Sequence, residues 1–160
     1  MHTKVELLQF DINAFLQEHS EALVVVVNGS WYYDTHTGDY AYQTRLGERR
    51  SSTRVGQLTN SSSSNHAMLE GVLAAFMRIQ LREKDVYVLS PTPLGFKKRK
   101  GPNEEIINKI FRISEEKKLN FHSIAISNGG KLIRDMCLSI RNCIKRAPKS
   151  TVPGQHRFGF

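Results

Sequence analysis

The stretch Ala22-Leu23-Val24-Val25-Val26-Val27-Asn28-Gly29-Ser30 decides how this chain is read. Four consecutive valines behind a leucine make a short, unbroken, β-branched apolar run, the pattern of a strand covered on both faces. A buried helix segment is rarely this short, this rich in valine, or stopped by Asn-Gly. The strand delivers Asn28, Gly29 and Ser30 at its carboxyl end, where α/β sheets usually place their chemistry.

Upstream, Val5, Leu8, Ile12, Phe15 and Leu16 fall close to helical spacing, and Asp11 or Asn13 stands where a second turn would be capped. Residues 1–20 are therefore expected to form an amphipathic segment packed on the domain that follows, either one kinked helix or a strand-like lead and a helix. Downstream, Trp31 to Tyr40 reads as a turn rich in Asp, Thr and Gly. Tyr40 to Leu46 and Arg49 to Leu58 read as two further strands joined at Gly47-Glu48, so the first three strands form an antiparallel meander. A polar Ser/Asn loop, Asn60 to Asn65, precedes a helix from about His66 to Gln80 with Met68, Leu69, Val72, Leu73, Ala75, Phe76 and Ile79 on its apolar face. Asp85 to Leu89 is a fourth strand, ended by Ser90-Pro91-Thr92-Pro93 because proline lacks the amide a ladder uses. The basic run Lys97-Lys98-Arg99-Lys100 follows. A helix from Pro102 or Asn103 to about Lys118, opened by Glu104 and Glu105, leads to a fifth strand, Phe121 to Ile126. Asn128-Gly129-Gly130 turns into a last helix, Leu132 to about Lys145. The tail, residues 147–160, is basic and reads as flexible.

A chain of 160 residues is expected to form one main domain, residues 21–146, burying roughly two-thirds of its unfolded surface. No apolar run approaches the roughly 20 residues needed to span a bilayer, and the amino terminus lacks a secretory apolar core, so an intracellular protein without membrane partners is expected. Under that expectation the sequons at Asn28 and Asn60 are coincidental, and Cys137 and Cys143, six apart in one helix, are free thiols. The net charge of +8, from 23 basic and 15 acidic residues, favours a polyanionic partner.

The order β-β-β-α-β-α-β-α implies a mixed five-stranded sheet flanked by helices. With the residues at its junctions, it resembles the ribonuclease H family over about residues 22 to 145. That family's first strand ends in Asp-Gly-Ser, and here it ends in Asn28-Gly29-Ser30. Its first helix opens with Thr/Ser-Asn-x-Ala-Glu-Leu, and here Ser64-Asn65-His66-Ala67-Met68-Leu69 stands there. Its fourth strand ends in a Ser-Thr-Asp-Ser-like turn, matched by Ser90-Pro91-Thr92-Pro93, and a basic loop follows as at Lys97–Lys100. Its His-x-Gly lead into the last helix is matched by Ser127-Asn128-Gly129-Gly130.

The resemblance implies a fold built to cleave RNA in hybrids, with carboxylates that hold two divalent metals and activate a water. The carboxylate positions are altered: the first Asp is Asn28, the Glu is Met68, the second Asp is Thr92, and the last falls near Leu138, with Asp135 close by. An amide oxygen carries no charge and a thioether does not suit hard Mg²⁺. No cofactor or metal is therefore expected, and the ancestral reaction is expected to be lost. Asp34, Asp39, Glu70 and Asp135 are the acids that a divergent metal nuclease would use. Glu70, two residues past Met68, should point away from the same site. His36 and His66 show no partner carboxylate in the sequence, and Ser30 has no His-Asp constellation beside it.

What the resemblance leaves is a surface for gripping a polyanion: Ser30, then Ser63, Ser64 and Asn65 at a helix amino terminus, and Lys97, Lys98, Arg99 and Lys100. Arg45, Arg49, Arg50 and Arg54 add cations on the hairpin, and Trp31, Tyr32 and Tyr33 are candidates for base stacking or for packing. The expected function is a catalytically inactive ribonuclease H-like domain that binds nucleic acid, RNA or an RNA/DNA hybrid first, in an architectural or regulatory role. The alternatives are a protein–protein module on the same fold, with the basic tail docking an acidic partner, and a divergent metal-dependent nuclease.

Overall fold

The Leu-Val run lies at the centre of the sheet in the computed structural model, which describes residues 2–5, 11–97 and 100–126. The expected last helix with Asp135, Cys137, Leu138 and Cys143, the basic tail, and Lys98 and Arg99 lie outside the described residues. The elements are β1 (His2–Val5), α1 (Ile12–Glu18), β2 (Leu23–Tyr32), β3 (Thr37–Leu46), β4 (Arg49–Arg50), β5 (Arg54–Leu58), α2 (Ser64–Arg78), β6 (Asp85–Ser90), α3 (Glu104–Glu116) and β7 (Asn120–Ile126). Among the described residues the strands form one seven-stranded sheet in the order β1-β7-β6-β2-β3-β4, with β5 also paired to β3. The β2/β3, β3/β4 and β3/β5 pairs are antiparallel, and β2/β6, β6/β7 and β1/β7 are parallel.

This is the mixed α/β architecture the sequence predicts, with two strands more than the five expected. One is gained by division. The third strand breaks between Arg50 and Arg54, where the Ser51 hydroxyl accepts from the Thr44 amide at 2.9 Å and the Ser51 amide donates to the Thr44 carbonyl at 2.7 Å. The other is the lead of the amino-terminal segment. Its residues 2–5 extend beside β7, with Val5 opposite Ile126, covering a ladder edge that β7 would otherwise expose. The strand-like lead, not the kinked helix, is the form adopted. Asp11 caps α1, its carboxylate accepting from the amides of Asn13 and Ala14.

The alternation along β2 divides the core in two. Leu23, Val25 and Val27 meet Met68, Leu69, Val72 and Phe76 of α2, and α3 adds Ile106, Ile107 and Ile110 on the same face. Val24 and Val26 meet Leu16 of α1 with Leu89, Ile124 and Ile126 on the other. A strand buried this way needs apolar residues at every position, which is why its valines run without a polar interruption. Each such side chain contributes about 1.5–3 kcal/mol on burial. Among the described residues no helix is long and apolar enough to cross a membrane.

Candidate functional site

Beyond Val27 the central strand turns polar. Asn28 is 8% exposed and its Oδ1 accepts from the Gly29 amide at 2.8 Å. Gly29 lies under the first turn of α2: a Cβ there would stand 3.0 Å from Met68 Cγ and 3.1 Å from the Met68 nitrogen. Glycine is required by that approach, which sets Met68 against the residue that follows Asn28. The parallel pairing of β6 with β2, Leu89 opposite Val26, puts both carboxyl ends at one end of the sheet. There the turn after β6 is tied to α2. Asn65 Nδ2 donates to the Pro93 carbonyl at 3.0 Å, Thr92 Oγ1 donates to Asn65 Oδ1 at 3.2 Å, and Ser90 Oγ donates to the Thr92 carbonyl at 2.7 Å. Asn28, Met68 and Thr92 thus lie at the same end of the sheet.

The acids nearby are placed differently from one another. Asp39 stands opposite Ser30 across the β2/β3 ladder, 5% exposed, with its Oδ2 accepting from the Tyr32 hydroxyl at 2.8 Å. Asp34 is exposed on the hairpin turn. Glu70 lies 3.4 Å from His66 Nε2, one helical turn on, and helps raise the Tyr40 hydroxyl above its usual pKa. The expectation that His66 lacks a carboxylate is corrected: its partner is four residues ahead on the same helix face. His66 Nδ1 is in turn 3.0 Å from Ser61 Oγ, forming a Ser-His-Glu chain. Ser61 is only 3% exposed, so this chain braces the loop and offers no reachable nucleophile. At the three matched positions among the described residues the donors are an amide oxygen already bonded, a thioether and a hydroxyl, a set poorly suited to two divalent ions. Among the described residues no three His, Cys, Asp or Glu side chains come together in a metal-holding group.

The polar and basic loops do come together. Ser63 caps α2, its Oγ accepting from the His66 amide at 3.0 Å, and Ser64 opens the helix. Asn65, Pro93, Leu94, Lys97, Lys100 and Asn103 line a cavity of about 420 Å³ between this helix start and the basic loop. Gly95 and Gly101 turn the loop with φ of 81° and 137°, angles other residues rarely adopt. Lys97 and Lys100 are exposed.

The hairpin arginines divide. Arg49 and Arg50 are exposed, and Arg45 Nε donates to Gln43 Oε1 at 2.9 Å. Arg54 is a correction to the surface role expected of it: it is 2% exposed, paired across β3/β5 with Tyr42, and burial lowers its pKa to about 10 despite the favourable field of Tyr42. Trp31 and Tyr32, read as turn residues, belong to β2. Trp31 Nε1 donates to the Ser61 carbonyl at 2.8 Å, whereas Tyr33 is 74% exposed. Ser61 and the His66–Glu70 pair escaped the sequence reading. The i, i+4 spacing held a signal for the pair, whereas the place of Asp39 opposite Ser30 depends on hairpin register.

No family model matches the chain, and no curated protein matches it in sequence. Among solved structures it is similar to the N-terminal RNase H domain of Rv2228c from Mycobacterium tuberculosis, determined as a fusion with maltose-binding protein. The TM-score is 0.59 at 10% identity, over 79% of this chain and 98% of that one. Likeness at that identity speaks for architecture, and on that ground this chain has a ribonuclease H-like fold.

Proposed function

We propose that this chain is a catalytically silent ribonuclease H-like domain that binds nucleic acid through its phosphate backbone. One juxtaposition carries the proposal. At the end of the sheet where Asn28, Met68 and Thr92 gather, Asn65 and the cations Lys97 and Lys100 line a single cavity. Neutral side chains replace the charge that would hold ions, while the groups suited to phosphate remain. Lysines at a backbone release condensed counterions, and the start of α2 adds its amide donors and dipole. Ser63 and Ser64 supply hydroxyls at the start of α2, Ser30 supplies one near the carboxyl end of β2, and Lys98 and Arg99 extend the basic loop in sequence. The role is architectural or regulatory, with RNA or an RNA/DNA hybrid as the first partner to test.

The test is an electrophoretic shift at low salt with duplex, hybrid and single-stranded probes, followed by incubation of the hybrid with Mg²⁺ or Mn²⁺. At least one probe is expected to be retarded, and the hybrid to stay intact. Failure to retard any probe would end the binding half of the proposal. Cleavage that disappears on Asp39→Asn or Glu70→Gln would end the silent half.

A further inference from the structure

Two of the three exposed large apolar side chains among the described residues lie side by side in sequence, at the tip of the β2–β3 hairpin. Tyr33 is 74% exposed and Tyr32 46%. The Trp31 ring lies 6.4 Å from that of Tyr33 at 62°, and 6.2 Å from that of His36 at 56°. This tip is held in place. The indole N–H of Trp31 donates to the Ser61 carbonyl at 2.8 Å, and the Ser61 amide donates to the His36 carbonyl at 2.7 Å. Both bonds tie the hairpin to the Ser/Asn loop, whose next residues cap α2 and lead to Asn65 in the basic cavity.

We infer that the hairpin tip is a base-stacking platform, so that the ligand is a single-stranded segment of nucleic acid. The inference rests on the proposed nucleic-acid reading and narrows it. A duplex buries the faces of its bases in its own stack and shows a protein only their edges, whereas an unpaired base offers a π-face. The rings of Trp31, Tyr33 and His36 are the matching partners. They stand at the end of the strand that carries Asn28 and Ser30, and one short loop away from Lys97 and Lys100. Trp31 makes its hydrogen bond inward, to the Ser61 carbonyl, so stacking on its ring strips no indole hydrogen bond. Stacking is indifferent to base identity, so the platform selects strandedness and not sequence.

Trp31 is the single tryptophan of the chain and reports on its own site. The experiment titrates the full chain with oligo-deoxythymidylate, oligouridylate and a blunt DNA duplex, reading tryptophan fluorescence and electrophoretic shift together. The variants are Tyr33→Ala, Tyr33→Phe and Lys97→Ala/Lys100→Ala. The single strands should quench Trp31 and bind more tightly than the duplex. Tyr33→Ala should weaken single-strand binding roughly tenfold, within the range of losing one stacked base, while leaving the thermal midpoint, the duplex affinity and the salt slope as they were. Tyr33→Phe should bind as the parent does, and the double lysine variant should lose affinity for both forms. Equal binding of duplex and single strands, with no quenching and no effect of Tyr33→Ala, overturns the platform and leaves the backbone reading standing. Failure of every probe overturns both. Tip-dependent self-association in sedimentation, without oligonucleotide binding, overturns the platform in favour of a protein surface.

Discussion

Tyr40 shows how one residue ties the site to stability. Its ring lies over Gly56, where an added Cβ would stand 2.1 Å from the ring carbon Cζ, and it is 7% exposed. Burial, then Tyr42 and Glu70, pushes its hydroxyl up to about 12 from 10.0. A raised folded pKa means that the neutral form is favoured by folding. Its contribution is whole below pH 10 and is lost as pH climbs to about 12, a change on the order of 3 kcal/mol. Tyr42, also raised by burial, acts in the same direction. Arg54 acts oppositely, because its lowered pKa is a penalty at neutral pH that fades as pH rises above about 10. Comparing urea unfolding of the parent and Tyr40→Phe across pH 9 to 12 isolates the tyrosine: the variant should lose less stability over that window. At Gly56 itself, Gly56→Ala should cost about 1–3 kcal/mol in chemical denaturation, because the buried ring cannot give way without disturbing the face of α2. Neither effect was legible in the sequence. Gly56 there is a glycine in a strand pattern, and nothing local says which ring crosses it.

Among the elements, α2 and α3 are joined at their carboxyl ends by side chains that satisfy orphan carbonyls. Lys117 Nζ donates to the carbonyls of Phe76, Met77 and Ile79 at 2.7, 3.1 and 2.5 Å, closing the end of α2. In the other direction the Arg82 guanidinium donates to the Glu116 carbonyl at the end of α3. Burial, with Arg82 nearby, lowers the Lys117 pKa. Lys117→Met keeps the stem and removes the donors, and should lower stability by about 2–3 kcal/mol in thermal or urea unfolding. Wild-type stability in that variant would show that water takes over the three carbonyls. Helices α2 and α3 were legible from their 3.6-residue periodicity, and their ends moved by a residue or two. The amino-terminal strand was less so, because four residues beside β7 carry little pattern of their own and their pairing is a tertiary event.

For the whole molecule, the net charge of +8 predicts strong salt dependence of any nucleic-acid binding. If Lys97 and Lys100 each neutralise a phosphate, the double substitution Lys97→Ala/Lys100→Ala should make the slope of log affinity against log salt shallower by about two for duplex DNA. An unchanged slope would assign the electrostatic term to Arg49, Arg50 or other cations. The charge total was plain from composition. Its useful division was not: Arg54, counted with the surface cations, is inside the core beside Tyr42.

By itself the sequence determined the central strand, the order of the main strands and helices from β2 to β7, and the presence of Asn, Met and Thr at positions 28, 68 and 92. Those features follow from periodicity, β-branching and residue identity, all of which act over a few neighbours. Tertiary structure alone decided that β1 lies along β7, that Asp39 faces Ser30, that Arg54 is buried, and that Trp31 is fastened to Ser61. Each depends on strand register or on contacts between separate elements, which residue identity and local periodicity do not encode.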